Sequence, residues 1–170
     1  MNLTKKIIIT GYAEHGKDTA CEYLNKKFGI TFESSSHTAC ELFLFDDLKK
    51  EHGYKTFDEC YEDRRNHRKL WADKISEFNR INGLDALGKV IFERVDCYNG
   101  IRKLAELNAL KSSGLVDLVI WLDASERMPP ESIESMDIPP NVADITISNN
   151  GSIDELKVRL NELGEYLLSL

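Results

Sequence analysis

The chain alternates short apolar runs with longer stretches in which apolar residues recur every three or four positions. Ile7, Ile8 and Ile9 form the first run and predict a strand over residues 6–10. Ala20, Tyr23, Leu24 and Phe28 then share one stripe, which predicts a helix over residues 16–28 with Gly29 as its stop. Residues 30–33 read as a second strand ending in Ser34-Ser35-Ser36. A helix over 38–51 carries Leu42, Phe43, Phe45 and Leu48 and stops at Gly53. The next predicted helix, 57–79, is long. Tyr61, Trp71, Ile75 and Phe78 lie on one face, and Arg64 and Arg68 continue that face.

After Gly83, Leu84, Leu87, Ile91 and Val95 mark a helix leading to a short third strand over 96–100. Arg102 opens another helix with Ile101, Leu104, Ala105, Leu107 and Leu110, closed by Ser112-Ser113-Gly114. Residues 116–122 are almost continuously apolar, as the centre of a parallel sheet requires, with Asp117 the only charge. Residues 143–148 form the last strand. Ser152 and Glu155 then make a capping box that opens a final helix with Ile153, Leu156, Leu160, Leu163 and Leu167 on its core stripe.

Five strands alternating with helices predict a three-layer α/β/α fold around a five-stranded parallel sheet. At 170 residues, 42% hydrophobic and 30% charged, the chain can bury one core, so residues 1–170 are read as a single domain. Residues 123–142 contain all four prolines and lack periodicity, which predicts a lid-like loop rather than a linker. The net charge of -7 gives no general attraction to nucleic acid or membrane. Cys21, Cys40, Cys60 and Cys97 are scattered without metal or disulfide spacing and read as free thiols. The apolar run after Lys5 and Lys6 is too short for a signal or a span, so the expected location is the cytoplasm. The oligomeric state is open, a homodimer included.

The chemistry concentrates in Gly11-Tyr12-Ala13-Glu14-His15-Gly16-Lys17-Asp18-Thr19, placed between the first strand and the first helix. That is the setting of a phosphate-binding loop. Two glycines let several amides point at one anion, the helix start adds partial positive charge, and Lys17 reaches the outer phosphates. Residues 12–19, including Ala13, Glu14 and His15, supply the amides. The side chains of Glu14 and His15 are expected to line the surface. Asp18 occupies the place of the usual magnesium-ligating hydroxyl, and Thr19 follows one residue later. The alternative is an ordinary strand–turn–helix with a surface lysine. His37, His52 and His67 show no metal spacing.

Arg64 and Arg68 on an otherwise buried stripe should meet an anion, because an unpaired buried guanidinium costs several kcal/mol. The anion is either a substrate phosphate clamped by the arginine forks or a carboxylate such as Asp63 or Glu59. Otherwise the helix end emerges into solvent. Arg65, His67 and Lys69 fall on other faces and read as solvated.

The strand–Gly-x-x-x-x-Gly-Lys-Asp-Thr–helix start, the strand followed by Arg102 to Leu110, and Ala143-Asp144-x-x-Ile147-x-Asn149-x-Gly151-Ser152-x-x-x-Leu156 resemble the phage-type deoxynucleoside monophosphate kinases. The Gly-Lys-Asp-Thr form is characteristic of that group. The resemblance spans most of the chain and is specific at its two ends. It implies a P-loop kinase fold and transfer of the γ-phosphoryl group of ATP to a deoxynucleoside monophosphate, with magnesium and a lid that closes arginines over the phosphates. Carried over, Gly11, Gly16, Lys17, Asp18 and Thr19 would hold ATP phosphates and magnesium, with the metal at Asp18 and Thr19. Arg102 would meet the acceptor, Arg127 would be the lid arginine, and Asn149 and Asn150 would border adenine. For Arg102 the alternative is a helix-terminal surface charge.

The chain departs from the family at Asn99-Gly100, where an aspartate usually precedes the mid-chain arginine. It departs again at Glu33-Ser34-Ser35-Ser36-His37, where an apolar-Pro-basic segment is usual. An acceptor phosphate needs no base, whereas an alcohol acceptor benefits from a carboxylate. Glu33 is the expected base, with Ser34 and Ser35 beside it as acceptor contacts. Related phage enzymes phosphorylate the hydroxymethyl group of 5-hydroxymethyluracil in DNA, so that acceptor is the second reading, with residues 64–69 as the only local basic patch. A third reading is a protein that binds ATP without transferring phosphate.

Overall fold

A computed structural model describes residues 3–170. Its elements are β1 (Ile7–Thr10), α1 (Lys17–Phe28), β2 (Phe32–Ser34), α2 (Ser35–Ala39), α3 (Phe45–His52), α4 (Phe57–Asp63), α5 (Arg68–Asn82), α6 (Ala86–Arg94), β3 (Cys97–Asn99), α7 (Leu104–Ser112), β4 (Leu118–Asp123), β5 (Ile145–Ser148) and α8 (Ile153–Ser169). The five strands form one parallel sheet in the order β2-β3-β1-β4-β5.

Alternation along the strands sends side chains to two separate cores. Ile7 and Ile9 of β1 pack with Ala20, Cys21 and Leu24 of α1 and with Leu156, Leu160 and Leu163 of α8. Ile8 faces the other way, into a larger core with Leu44, Leu48, Trp71, Leu87, Ile91 and Tyr98. The strand order reverses between β3, β1 and β4, so the loop leaving β1 emerges at the switch point, where parallel α/β sheets hold ligands.

The structure differs from the sequence expectation at several places. The helix predicted over 57–79 is two helices, broken by a 3-10 turn at Arg64–Asn66 and by His67 at φ -129, ψ 34. The break has a polar cause. Asp63 accepts from Tyr54 Oη and, at 2.6 Å, from Asn66 Nδ2, and it pairs with His67 Nε2 at 3.1 Å, so local side chains compete with the helical ladder. The phase resets there, and Arg64 and Arg68 do not continue a buried stripe: Arg64 is half-buried and Arg68 exposed.

Helix formation after β2 starts at Ser35, because Ser34 Oγ caps the turn by accepting the His37 amide, and a π-helical turn at Cys40–Leu44 joins α2 to α3. Arg102 lies ahead of α7, which begins at Leu104. Leu84 and Ile153 are 45% and 51% exposed, both at or before the first turn of a helix, where the apolar stripe has not yet reached the core. The proline-rich segment is docked at its far end, where Met136 and Ile138 are buried.

Candidate active site

Loop 11–16 is shaped by two glycines and one strained residue. Gly11 has φ +150, and a Cβ there would stand 2.6 Å from the carbonyl oxygen of Leu122, so the loop passes β4 at a distance only glycine permits. Gly16 has φ +98 and Glu14, at the apex, has φ +62. Left-handed residues spaced this way are the backbone of an anion nest, although here the His15 amide donates to the Tyr12 carbonyl at 3.3 Å. Among the described residues, no side chain caps the first turn of α1, so its leading amides are left to a ligand or to water.

His15 is where the sequence expectation fails. It is fully buried, not a surface residue. Its Nδ1 accepts the Ala124 amide at 2.9 Å and its Nε2 lies 3.3 Å from the Met128 carbonyl oxygen. Its own carbonyl accepts from Asn149 Nδ2 at 3.0 Å. Tyr12 packs edge-on against both His15 and Trp121. The loop is thus braced by β4, by the start of the proline-rich segment and by the β5–α8 loop.

Lys17 folds over the loop, donating to the carbonyls of Gly11 at 2.9 Å and Tyr12 at 2.7 Å. Burial, reinforced by the Arg102 guanidinium and offset in part by Glu131 and Asp18, pushes its ammonium down to about 8. Ala13 N donates to Glu131 Oε2 at 2.6 Å, and Arg102 Nη1 meets Glu131 Oε1 at 2.6 Å. The Glu131 carboxylate therefore links Arg102 to the loop.

Asp18 is exposed and accepts from Asn99 Nδ2 at 2.6 Å. Asn99 is 1% exposed, and its Oδ1 has no hydrogen-bond partner among the described residues. A buried carbonyl oxygen without a donor is costly. The Asp18 carboxylate beside it is a hard oxygen donor of the kind magnesium takes when phosphates and waters complete its shell, whereas Thr19 stands apart, lining a hollow between α1 and α8 with Tyr23, Leu156 and Leu160. Among the described residues no group of three or more His, Cys, Asp or Glu side chains could hold a metal by itself.

Other expected site residues are placed elsewhere. Glu33 is in register with Tyr98 on the face of the larger core, away from α1, where Thr38 donates to it at 2.7 Å and Arg94 lies 3.7 Å away. Ser34 serves as a helix cap, while Ser35 donates to the Gly100 carbonyl at 3.1 Å, next to Arg102. Arg64 lies over the Tyr61 ring at 3.8 Å and donates to the Tyr61 carbonyl, not to Asp63 or Glu59. Arg68 reaches toward Glu14 at 3.9 Å. Arg127 is exposed, with Nε donating to the Asn149 carbonyl at 2.8 Å. Asn149 buttresses the loop, and Asn150 bridges Glu126 N and Asp123 Oδ2.

Two residues without a sequence signal complete the site. Glu131 is one. The other is Glu106, 6% exposed, which lines a small cleft with Ser35, Tyr98, Gly100, Arg102 and Lys103. Burial, only partly offset by Asn79, pushes its carboxyl above the ordinary range.

No protein-family model and no curated protein matches the sequence. Solved structures do match in shape along the whole chain. A shikimate kinase from Acinetobacter baumannii in complex with shikimate superposes with a TM-score of 0.52 at 14% identity, covering 97% of this chain and 93% of that one. The APS kinase of Mycobacterium tuberculosis in complex with AMPPNP and APS gives 0.51 at 13% identity, covering 98% of each. The chain has the P-loop kinase fold. A gluconokinase from Sinorhizobium meliloti, at 0.50 and 16% identity over 99% of this chain and 98% of that one, shares it. Within this fold the braced glycine loop stands between β1 and α1, with Lys17 and Asp18 in the first turn of α1, beside the C-terminal ends of β3 and β4. No helix of the described residues is long and apolar enough to cross a membrane.

Proposed function

We propose that the chain is an ATP-dependent phosphotransferase of the cytoplasm that moves the γ-phosphoryl group of ATP, with magnesium, to a small-molecule nucleotide, a deoxynucleoside monophosphate. The observation that carries this reading is the uncapped start of α1, preceded by left-handed Glu14 and Gly16, with the Lys17 ammonium folded over the loop. Such a cradle works by position and charge neutralisation rather than covalent chemistry. Magnesium would be held near Asp18, beside Asn99, and would offset charge on the transferring group. Lys17 would turn from its own loop carbonyls to the phosphate oxygens, and Arg102 would hold the acceptor.

A phosphate acceptor fits better than an alcohol. An alcohol needs a base to take its proton, and the expected base, Glu33, already accepts from the Thr38 hydroxyl at 2.7 Å with the Arg94 guanidinium 3.7 Å away. Ionised phosphate needs none. The test is labelled ATP offered with a panel of deoxynucleoside monophosphates and with DNA containing 5-hydroxymethyluracil. Label in a deoxynucleoside diphosphate supports the proposal, label in the polymer transfers it to the hydroxymethyl reading, and ATP binding without label in any acceptor sinks both.

A further inference from the structure

The Glu131 carboxylate fills the place where the loop and Arg102 converge. One oxygen takes the Ala13 amide at 2.6 Å, and the other takes the Arg102 guanidinium at the same distance. Lys17 is close enough to feel the same charge. An amide and a guanidinium on the two oxygens of one anion, beside a lysine folded over the same loop, are donors a phosphate would also take. The segment that delivers Glu131 is tied down behind it. Asp137 N donates to the Arg102 carbonyl at 3.2 Å, Asp137 Oδ1 accepts the Leu104 amide at 2.6 Å, and Met136 is buried. Ahead of it, Pro129 and Pro130 are exposed, as are residues 132–135 just after it.

We propose that Glu131 is an internal anion that occupies the phosphate seat, and that a phosphate-bearing ligand binds by displacing it, with residues 129–135 swinging outward on the Met136 anchor. One amide hydrogen cannot serve a carboxylate and a phosphate oxygen at once. Two anions at hydrogen-bond distance from the same donor also repel. The occupied and displaced forms are therefore alternatives, and the occupied fraction lowers the apparent affinity of any ligand that needs the seat. This inference rests on the phosphate-cradle reading of the loop and not on phosphoryl transfer.

The experiment is a calorimetric titration of magnesium pyrophosphate into the wild type, Glu131→Gln and Glu134→Gln. Glu134 is an exposed acid three residues away, so its variant changes net charge equally without touching the seat. Glu131→Gln should bind about tenfold tighter, as expected when a seat about nine-tenths self-occupied is released. Glu134→Gln should stay within about twofold of wild type, as exposed charges do. Weaker or unchanged binding in Glu131→Gln overturns the proposal, because a residue that merely positions Arg102 would lower affinity when removed. Equal tightening in both variants overturns it as well. If Glu131→Gln tightens while no acceptor is ever labelled, the displacement stands and the kinase reading falls.

Discussion

The buried imidazole of His15 accepts the backbone amide of Ala124 at 2.9 Å, joining the tip of the glycine loop to the exit of β4. The Met128 carbonyl lies 3.3 Å from the other ring nitrogen, so the partners call for the tautomer with its proton on Nε2. A loop with two left-handed turns has few internal bonds of its own. This histidine supplies part of the rigidity that keeps the amides aimed.

Replacing His15 by alanine leaves the Ala124 amide without its acceptor and opens a cavity beside Tyr12. The expected loss is about 2–4 kcal/mol of unfolding free energy, the range for a large buried side chain together with an orphaned donor. Urea denaturation measures it. A loss below about 0.5 kcal/mol, the level of ordinary surface substitutions, would show that the contact does not stiffen the loop.

Gly11→Ala should cost more in binding than its single methyl implies. The new Cβ would meet the backbone oxygen of Leu122, which belongs to a central strand and cannot move aside. Magnesium ATP affinity should fall by at least about tenfold, because a misplaced loop cannot present its amides together. Fluorescence titration of the folded variant reads this, and wild-type affinity would remove the close approach as a requirement.

Lys17→Ala should lower phosphoryl transfer by about a hundredfold or more while the variant still folds, since the lysine acts on charge that develops at the phosphates. Its pH behaviour is a second test. Burial holds the free ammonium down to about 8, below its ordinary 10.5. The charged form is the one that binds phosphate, so above about 8 the protein must take up a proton to bind. ATP affinity should fall by up to about tenfold per unit of pH from there. Lys17→Met should show no such slope, and a flat wild-type profile from pH 7 to 10 would contradict the assignment.

Asn99→Asp would set a second carboxylate against Asp18, where an amide now donates at 2.6 Å. Two carboxylates at that distance repel. The variant should melt below wild type in chelator and regain more of its melting temperature than wild type does on adding magnesium. Identical responses of the two proteins would argue that no cation enters between these side chains.

Glu106→Gln tests the buried acid in the cleft beside Arg102. Burial raises its folded carboxyl above the unfolded value of 4.5. As pH climbs through 4.5 the unfolded chain releases this proton before the folded one does, so this group weakens the wild type progressively from there upward. The glutamine variant carries no such proton. Its melting temperature relative to wild type should therefore climb between pH 4 and pH 7, and a constant difference would show that folding does not raise the Glu106 carboxyl.

The layered fold was readable because its signals are local. The isoleucine run of β1, the stripe of α1 and the Ser152–Glu155 box depend on residues a few positions apart, and each appears where the periodicity puts it. The long helix over 57–79 was misread because periodicity cannot register Asp63 bonding to Tyr54, Asn66 and His67 and ending the turn. The two arginines lost their predicted burial with it. His15 was misplaced because a histidine in a loop looks solvated unless its partners, 109 and 113 residues away, are known.

By itself, the sequence determined the alternation of strands and helices, the glycine-bounded loop and the lysine at its end, because these follow from side-chain period and from the backbone freedom of glycine. Only the tertiary structure decided that Glu131, 118 positions from Ala13, shares a seat with Arg102, that Asn99 meets Asp18, and that Glu33 is turned to the other face. Those contacts depend on which strands the sheet sets side by side and on how buried polar groups find partners once water is gone. No local pattern of residues records that.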